Sequence, residues 1–85
     1  MNWRIVWSEH ARRDLRRLDA LAAERVVRAV ERLAEAGHGD VRRLQGIEGQ
    51  WRLRVGKWRV RFTLDPTSAT LLIIHVLPRE SAYRN

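Results

Sequence analysis

Apolar residues recur with two different periods, and the changes between them divide the chain. Over residues 3–7, Trp3, Ile5 and Trp7 alternate with Arg4 and Val6. A period of two in aromatic and β-branched residues predicts a strand. Ser8 is placed to cap a helix, with Glu9 in its first turn. That helix runs to about residue 18. Ala11, Leu15 and Leu18 form its apolar stripe, and Arg12, Arg13, Arg16 and Arg17 lie off it. Asp14, one turn from Arg17, reads as a local charge partner. Asp19 caps a second helix through about residue 36, where Ala22, Val26, Val30 and Leu33 recur at helical spacing and Val27 and Ala34 widen the stripe. Gly37 is a natural stop.

Residues 38–50 follow neither period. With Gly37 they hold four of the five glycines, Gly37, Gly39, Gly46 and Gly49, and read as loop, with Leu44 as an anchor. The glycines lack the spacing of a phosphate-cradling loop and are read as turns. Strict alternation returns over residues 51–62. Gly56-Lys57 divides the run into two strands and suits a two-residue type II′ turn. The register that follows is Val55 opposite Trp58, Arg54 opposite Arg59, Leu53 opposite Val60, Arg52 opposite Arg61 and Trp51 opposite Phe62. Trp51, Leu53, Val55, Trp58, Val60 and Phe62 then share a core face. Arg52, Arg54, Arg59 and Arg61 share the other, which is expected to lie open to solvent. Asp65-Pro66-Thr67-Ser68 marks a turn. Residues 70–77 form a nearly all-aliphatic strand, expected to be central and buried on both faces, and Pro78 ends it. The order β-α-α-β-β-β predicts an α+β two-layer domain over residues 1–85: a mostly antiparallel four-stranded sheet packed on a helical hairpin.

Charge changes the picture of the bare face. The 85 residues carry a net charge of +7, of which residues 41–85 hold +6 and residues 1–40 only +1. Like charges directly opposite one another destabilise a sheet. Four arginines in two facing pairs therefore call for an anion, and guanidinium groups match phosphate geometry. A basic surface of this kind suits RNA, DNA, an anionic membrane or an acidic protein. The alternative is a solvated face with arginine as filler. The chain has no cysteine, so thiolate metal sites and thiol nucleophiles are excluded. His10, His38 and His75 lack metal-ligand spacing. No metal or other cofactor is expected, and no stretch resembles a leader or membrane span. A cytoplasmic protein without a membrane partner is the expectation.

Leu44-Gln45-Gly46 followed by Gly49-Gln50-Trp51-Arg52-Leu53-Arg54-Val55-Gly56-Lys57-Trp58-Arg59-Val60 resembles the signature of the RelE/ParE toxin superfamily, and Arg79-x-x-x-Tyr83 resembles its ending. The resemblance implies a single RelE-like domain, the toxin of a type II toxin–antitoxin pair. Its partners would be a cognate antitoxin and mRNA in the ribosomal A site, with DNA reached only through the antitoxin. RelE-type members are endoribonucleases; ParE-type members inhibit DNA gyrase without chemistry. The basic strand residues and the terminal tyrosine lean to the RelE side. A ParE-like inhibitor and a basic RNA- or antitoxin-binding module without catalysis remain open.

RNA is cut without a metal when its 2′-OH attacks the adjacent phosphate. The protein must orient the attack, move two protons and stabilise charge. By resemblance, Arg59 and Arg79 would clamp the scissile phosphate and Arg52 and Arg54 would line the groove. Tyr83 would stack on a base or exchange a proton, or else simply pack the tail. Arg61, Lys57, Arg42 and Arg43 are candidate RNA contacts. The general base is missing: the hairpin face offers no carboxylate or histidine. Arginine, where related enzymes often have lysine at Arg52 and Arg54, does not give up its proton. Lys57 at the turn and His75 in the last strand are the remaining titratable candidates.

Overall fold

The computed structural model describes residues 2–81. Its elements are β1 (Arg4–Trp7), α1 (Glu9–Arg17), α2 (Ala20–Ala36), β2 (Asp40–Arg43), β3 (Trp51–Val55), β4 (Trp58–Asp65) and β5 (Thr70–Pro78). The five strands form one sheet in the order β1-β5-β4-β3-β2. β1 runs parallel to β5, and the other pairs are antiparallel. The α+β two-layer class is as expected, with one strand more than the four foreseen.

Both helices begin and end on the residues expected to punctuate them. The Ser8 side chain accepts from Ala11 N and that of Asp19 from Ala22 N. Gly37 closes α2 at φ 71°, where a residue without a Cβ is unstrained. Val26, Val30 and Ala34 of α2 and Ala11 of α1 are buried. Ala11, Val26 and Val30 form one cluster with Leu53, Val60, Phe62, Leu71, Ile73 and Val76 from the sheet.

The β3–β4 register is the expected one, residue for residue. Gly56 takes φ 57° while Lys57 stays at negative φ, the pattern of a type II′ turn. β5 is central in its first half, between β1 and β4, but its two faces differ. Leu71, Ile73 and Val76 are buried, whereas Leu72, Ile74 and Leu77 are only half-buried. The helices cover one face alone, so the expectation of burial on both faces does not hold.

The added strand, β2, arises inside the region read as loop. Asp40-Val41-Arg42-Arg43 contains one apolar residue and so carries no periodic signal. Pairing with the free edge of β3 makes it a strand, with Val41 opposite Leu53. Gly39 leads into it at φ 152°, where a Cβ would stand 2.7 Å from Leu53 Cδ1. The chain passes so close to the core that only glycine fits.

Asp14 is also not the local charge partner it was read as. It is buried, and its Oδ2 accepts a 2.9 Å hydrogen bond from Val76 N. Ser8 N donates to Ile73 O and Ser8 Oγ to Ile74 O, each at 2.9 Å. β1 stops at Trp7, and α1 continues along the edge of β5 that β1 leaves bare. Asp14 supplies the acceptor that a strand would have offered Val76.

Candidate nucleic-acid interface

Directly opposed residues in a sheet point to the same side. The registers of β2, β3, β4 and β5 therefore build two rows on the face away from the helices. One row is Arg42, Arg52, Arg61 and His75; the other is Asp40, Arg54, Arg59 and Leu77. β2 extends the arginine pairs of the hairpin outward. A bulge extends them the other way. Arg61 pairs with His75 but Phe62 pairs with Ile73, so Ile74 is an extra residue in β5. It returns Val76 to the core and leaves His75 on the arginine side. Simple alternation from Leu71 and Ile73 would have buried the histidine.

The arginine face is not open as expected. Arg52 is 9 % exposed and Arg59 is 6 % exposed. Arg52 Nη1 donates to Asp40 O at 2.9 Å and to Asp40 Oδ1 at 3.3 Å. Arg59 Nη1 donates to Gly56 O and Trp58 O, both at 2.9 Å, tying the side chain to its own turn. Arg61 Nη2 donates to Gln50 Oε1 at 2.7 Å. Arg54 is exposed and has only a 3.9 Å contact with Asp40 Oδ2. Like charges on facing strands are thus tolerated by turning the buried guanidinium groups onto protein acceptors.

Two titratable groups join this face that the hairpin alone did not reveal. Asp40 faces Arg54 from β2. His75 lies next to Arg61, with Nδ1 3.4 Å from Asp14 Oδ2 and its ring centroid 5.1 Å from that of His10. The 3.4 Å approach lacks hydrogen-bond geometry, so Nδ1 is buried without a partner among the described residues, as is Arg61 Nε. The hairpin itself carries no carboxylate or histidine on this face; both groups arrive from the strands that flank it. No local pattern announces either group. Asp40 belongs to a strand without periodicity, and the bulge that turns His75 leaves no mark in composition.

A groove of about 480 Å³ runs beside the first row, bordered by Arg42, Arg43, Arg52 and residues 44–47. Arg42 and Arg43 are exposed. Arg43 also stacks its guanidinium over Trp51, 5.5 Å from the ring centroid. Arg79 is exposed beside the hairpin turn, its N–H donating to Lys57 O at 2.8 Å. Lys57 itself is not brought to the arginine rows. Its Nζ sits 5.3 Å from the Trp58 ring centroid, and it lines a separate cleft of about 520 Å³ against the start of α2. Tyr83 lies outside the described residues. Among those residues, no group of three or more His, Asp or Glu side chains could hold a metal ion. Among the described residues, no helix is long and apolar enough to cross a membrane.

Solved structures share this architecture. The toxin–antitoxin complex RelBE2 of Mycobacterium tuberculosis contains a chain with TM-score 0.80 and 26% identity, covering 93% of this chain and 100% of that one. The RelE–RelB complex of Pyrococcus horikoshii gives TM-score 0.78 at 22% identity, over 96% and 100% of the two chains. A variant of E. coli RelE in the free state gives 0.78 at 18% identity, over 96% and 88%. The curated toxin-like protein RelE1 of Methanocaldococcus jannaschii is 35% identical over 46 residues; the match spans 54% of this chain and about half, 51%, of that relative. Residues 5–83 match the family model of the ParE toxin of the type II toxin–antitoxin system parDE. That match runs through both helices and every strand of the arginine face, and the protein belongs to the RelE/ParE superfamily of type II toxins.

Proposed function

We propose that this toxin is a ribosome-dependent endoribonuclease that cuts mRNA by attack of a 2′-OH on the adjacent phosphate. The reading is carried by the two basic rows across β2–β5, bordered by an arginine-lined groove. In the reaction the O2′–P bond forms and the P–O5′ bond breaks. One proton leaves the 2′-OH and another arrives on the departing 5′ oxygen. Arg54 and Arg79, both exposed, would meet the scissile phosphate. Arg52, immobilised by Asp40, would stabilise the developing charge, a role for which a preorganised donor is worth about 2.7–4 kcal/mol. Arg59, with one nitrogen tied to the turn, would act through its remaining donors. Arg42, Arg43 and Arg61 would follow the strand. His75, beside Arg61, would take the 2′-OH proton, and Tyr83 would stack on a base. An antitoxin with an acidic or amphipathic segment would neutralise the arginine face, and any DNA contact would run through that partner. On this reading the protein would act in the cytoplasm, where its mRNA target is.

A second reading has its own support. The matching family model is that of ParE, and Arg52 and Arg59 already spend donors inside the fold. On this reading the face grips DNA gyrase and does no chemistry. The toxin is expressed without its partner, mRNA 5′ ends are mapped, and gyrase supercoiling is assayed. In-frame codon cuts, lost in Arg54→Ala and His75→Ala, are the expected result. Intact mRNA with inhibited supercoiling would replace the nuclease reading with the gyrase one.

A further inference from the structure

Asp40 is the one carboxylate in the two rows. It is the cross-strand neighbour of Arg54, and through two acceptors it binds Arg52. Its carbonyl takes Arg52 Nη1 at 2.9 Å, its Oδ1 takes the same nitrogen at 3.3 Å, and its Oδ2 lies 3.9 Å from Arg54 Nη1. The two arginines are held unequally. The Arg52 side chain is 11 % exposed, while the side chains of Arg54 and Asp40 are 57 % and 50 % exposed. The placement is fixed from behind. Just before Asp40, Gly39 passes so near Leu53, the residue between Arg52 and Arg54, that an added Cβ would stand 2.7 Å from Leu53 Cδ1. A carboxylate and a phosphodiester offer a guanidinium the same pair of anionic oxygens. Asp40 thus offers Arg54 the kind of anionic oxygen that a phosphate would offer.

We infer that Asp40 is a built-in counter-anion and a positioning residue for the arginine face. It keeps Arg52 oriented at all times and lends itself to Arg54 only until a phosphate arrives. RNA then exchanges for the carboxylate at Arg54, the weaker and wetter contact, and leaves the contact at Arg52 in place. The acid weakens RNA binding and improves cutting. This rests on the nuclease reading of the face.

The effect has a signature that neither simple repulsion nor a purely structural role would give. Asp40→Asn removes the charge and keeps the shape and the backbone carbonyl. Binding of a single-stranded oligoribonucleotide is followed by fluorescence anisotropy across a salt series. The variant is expected to bind several-fold tighter, with a steeper salt dependence by up to about 0.7 in the log–log slope. Its single-turnover cleavage on a programmed ribosome is expected to fall at least tenfold. Glu35→Gln, an equal charge change on exposed helix surface, is expected to change both by less than twofold. Binding and cleavage that both rise, both fall or both stay level in Asp40→Asn would overturn the inference. A third measurement separates it from the nuclease reading. In the RNA-free protein, NMR of the guanidinium Nε–H groups is expected to show slow rotation at Arg52 and fast rotation at Arg54, with Arg52 rotating faster in Asp40→Ala, which loses the Oδ1 acceptor and keeps the carbonyl. Fast rotation of Arg52 in the unsubstituted toxin would sink the role of Asp40 whatever the protein does to RNA. Slow rotation together with an absence of cleavage by the unsubstituted toxin would instead fault the nuclease reading.

Discussion

The two faces of the β3–β4 hairpin have the same backbone, the same turn and the same register, yet they are held in different ways. On one, Leu53, Val60 and Phe62 are buried against the helices. On the other, Arg52 and Arg59 are buried too, a little less completely, and are held by directed bonds to Asp40, Gly56 and Trp58. The hydrophobic effect is non-directional, so an apolar face needs only a cover. A buried guanidinium needs particular acceptors at particular distances, or it costs more than it contributes. The apolar face follows from alternation; the arginine face follows from what lies beside it in space.

Substitutions can test that contrast. The largest effect is expected on the apolar side: Phe62→Ala should cost about 3–5 kcal/mol in chemical denaturation, through lost burial and the cavity left behind. A loss under 1 kcal/mol, on that rough scale, would mean the helices do not seal this face. Next comes Arg52→Ala, expected to cost about 1.5–3 kcal/mol because hydrogen bonds to a charged group are lost in a buried setting. Arg52→Lys should recover little of it, since an ammonium cannot reproduce the guanidinium fork. Full recovery by lysine would show that charge, not geometry, holds the site. Gly39→Ala should follow at about 1–3 kcal/mol, since the new methyl meets Leu53 Cδ1 and φ is unfavourable. It disturbs both faces at once and should lower the midpoint of unfolding without changing the denaturant slope. The smallest effect is expected for Arg54→Ala, within about 0.5 kcal/mol of the parent because the side chain is exposed and loosely paired. Stability measured beside toxicity separates the two arginines. Arg54→Ala should keep its fold and lose its toxicity, whereas Arg52→Ala should lose both.

These comparisons also explain what was legible in the chain. Caps, helical stripes, the type II′ turn and the hairpin register are local, with causes a few residues apart, and the structure has them as read. Arg54 and Arg59 pair across strands as the register requires, but alternation treats them alike and does not say that Arg59 folds back onto its own turn while Arg54 stays exposed. β2 was missed because it forms by accepting a partner and not by its own pattern. Asp14 was assigned to Arg17 because helical spacing is visible and a partner 62 residues away is not. His75 was placed by a bulge, which shifts every later side chain in β5 by one and has no residue signature. The resemblance to a toxin family reached further than periodicity did, since it carries long-range placement implicitly. It still did not point to Asp40.

The parallel pairing of β1 with β5 has a consequence for how the toxin comes into being. Arg4 and Thr70, 66 residues apart, are register partners and are joined by a side-chain hydrogen bond. The first strand thus has no strand partner until β5 exists, and α1 has no sheet edge to lie along. Loop closure over that distance must precede the contacts that reward it. A chain still being synthesised, at about 5–20 residues per second, stays unassembled until β5 has cleared the ribosome that made it. The arginine face, which needs β2 through β5 side by side, is completed by the same event. The topology of the sheet therefore withholds the whole basic surface until its central strand can close against both neighbours.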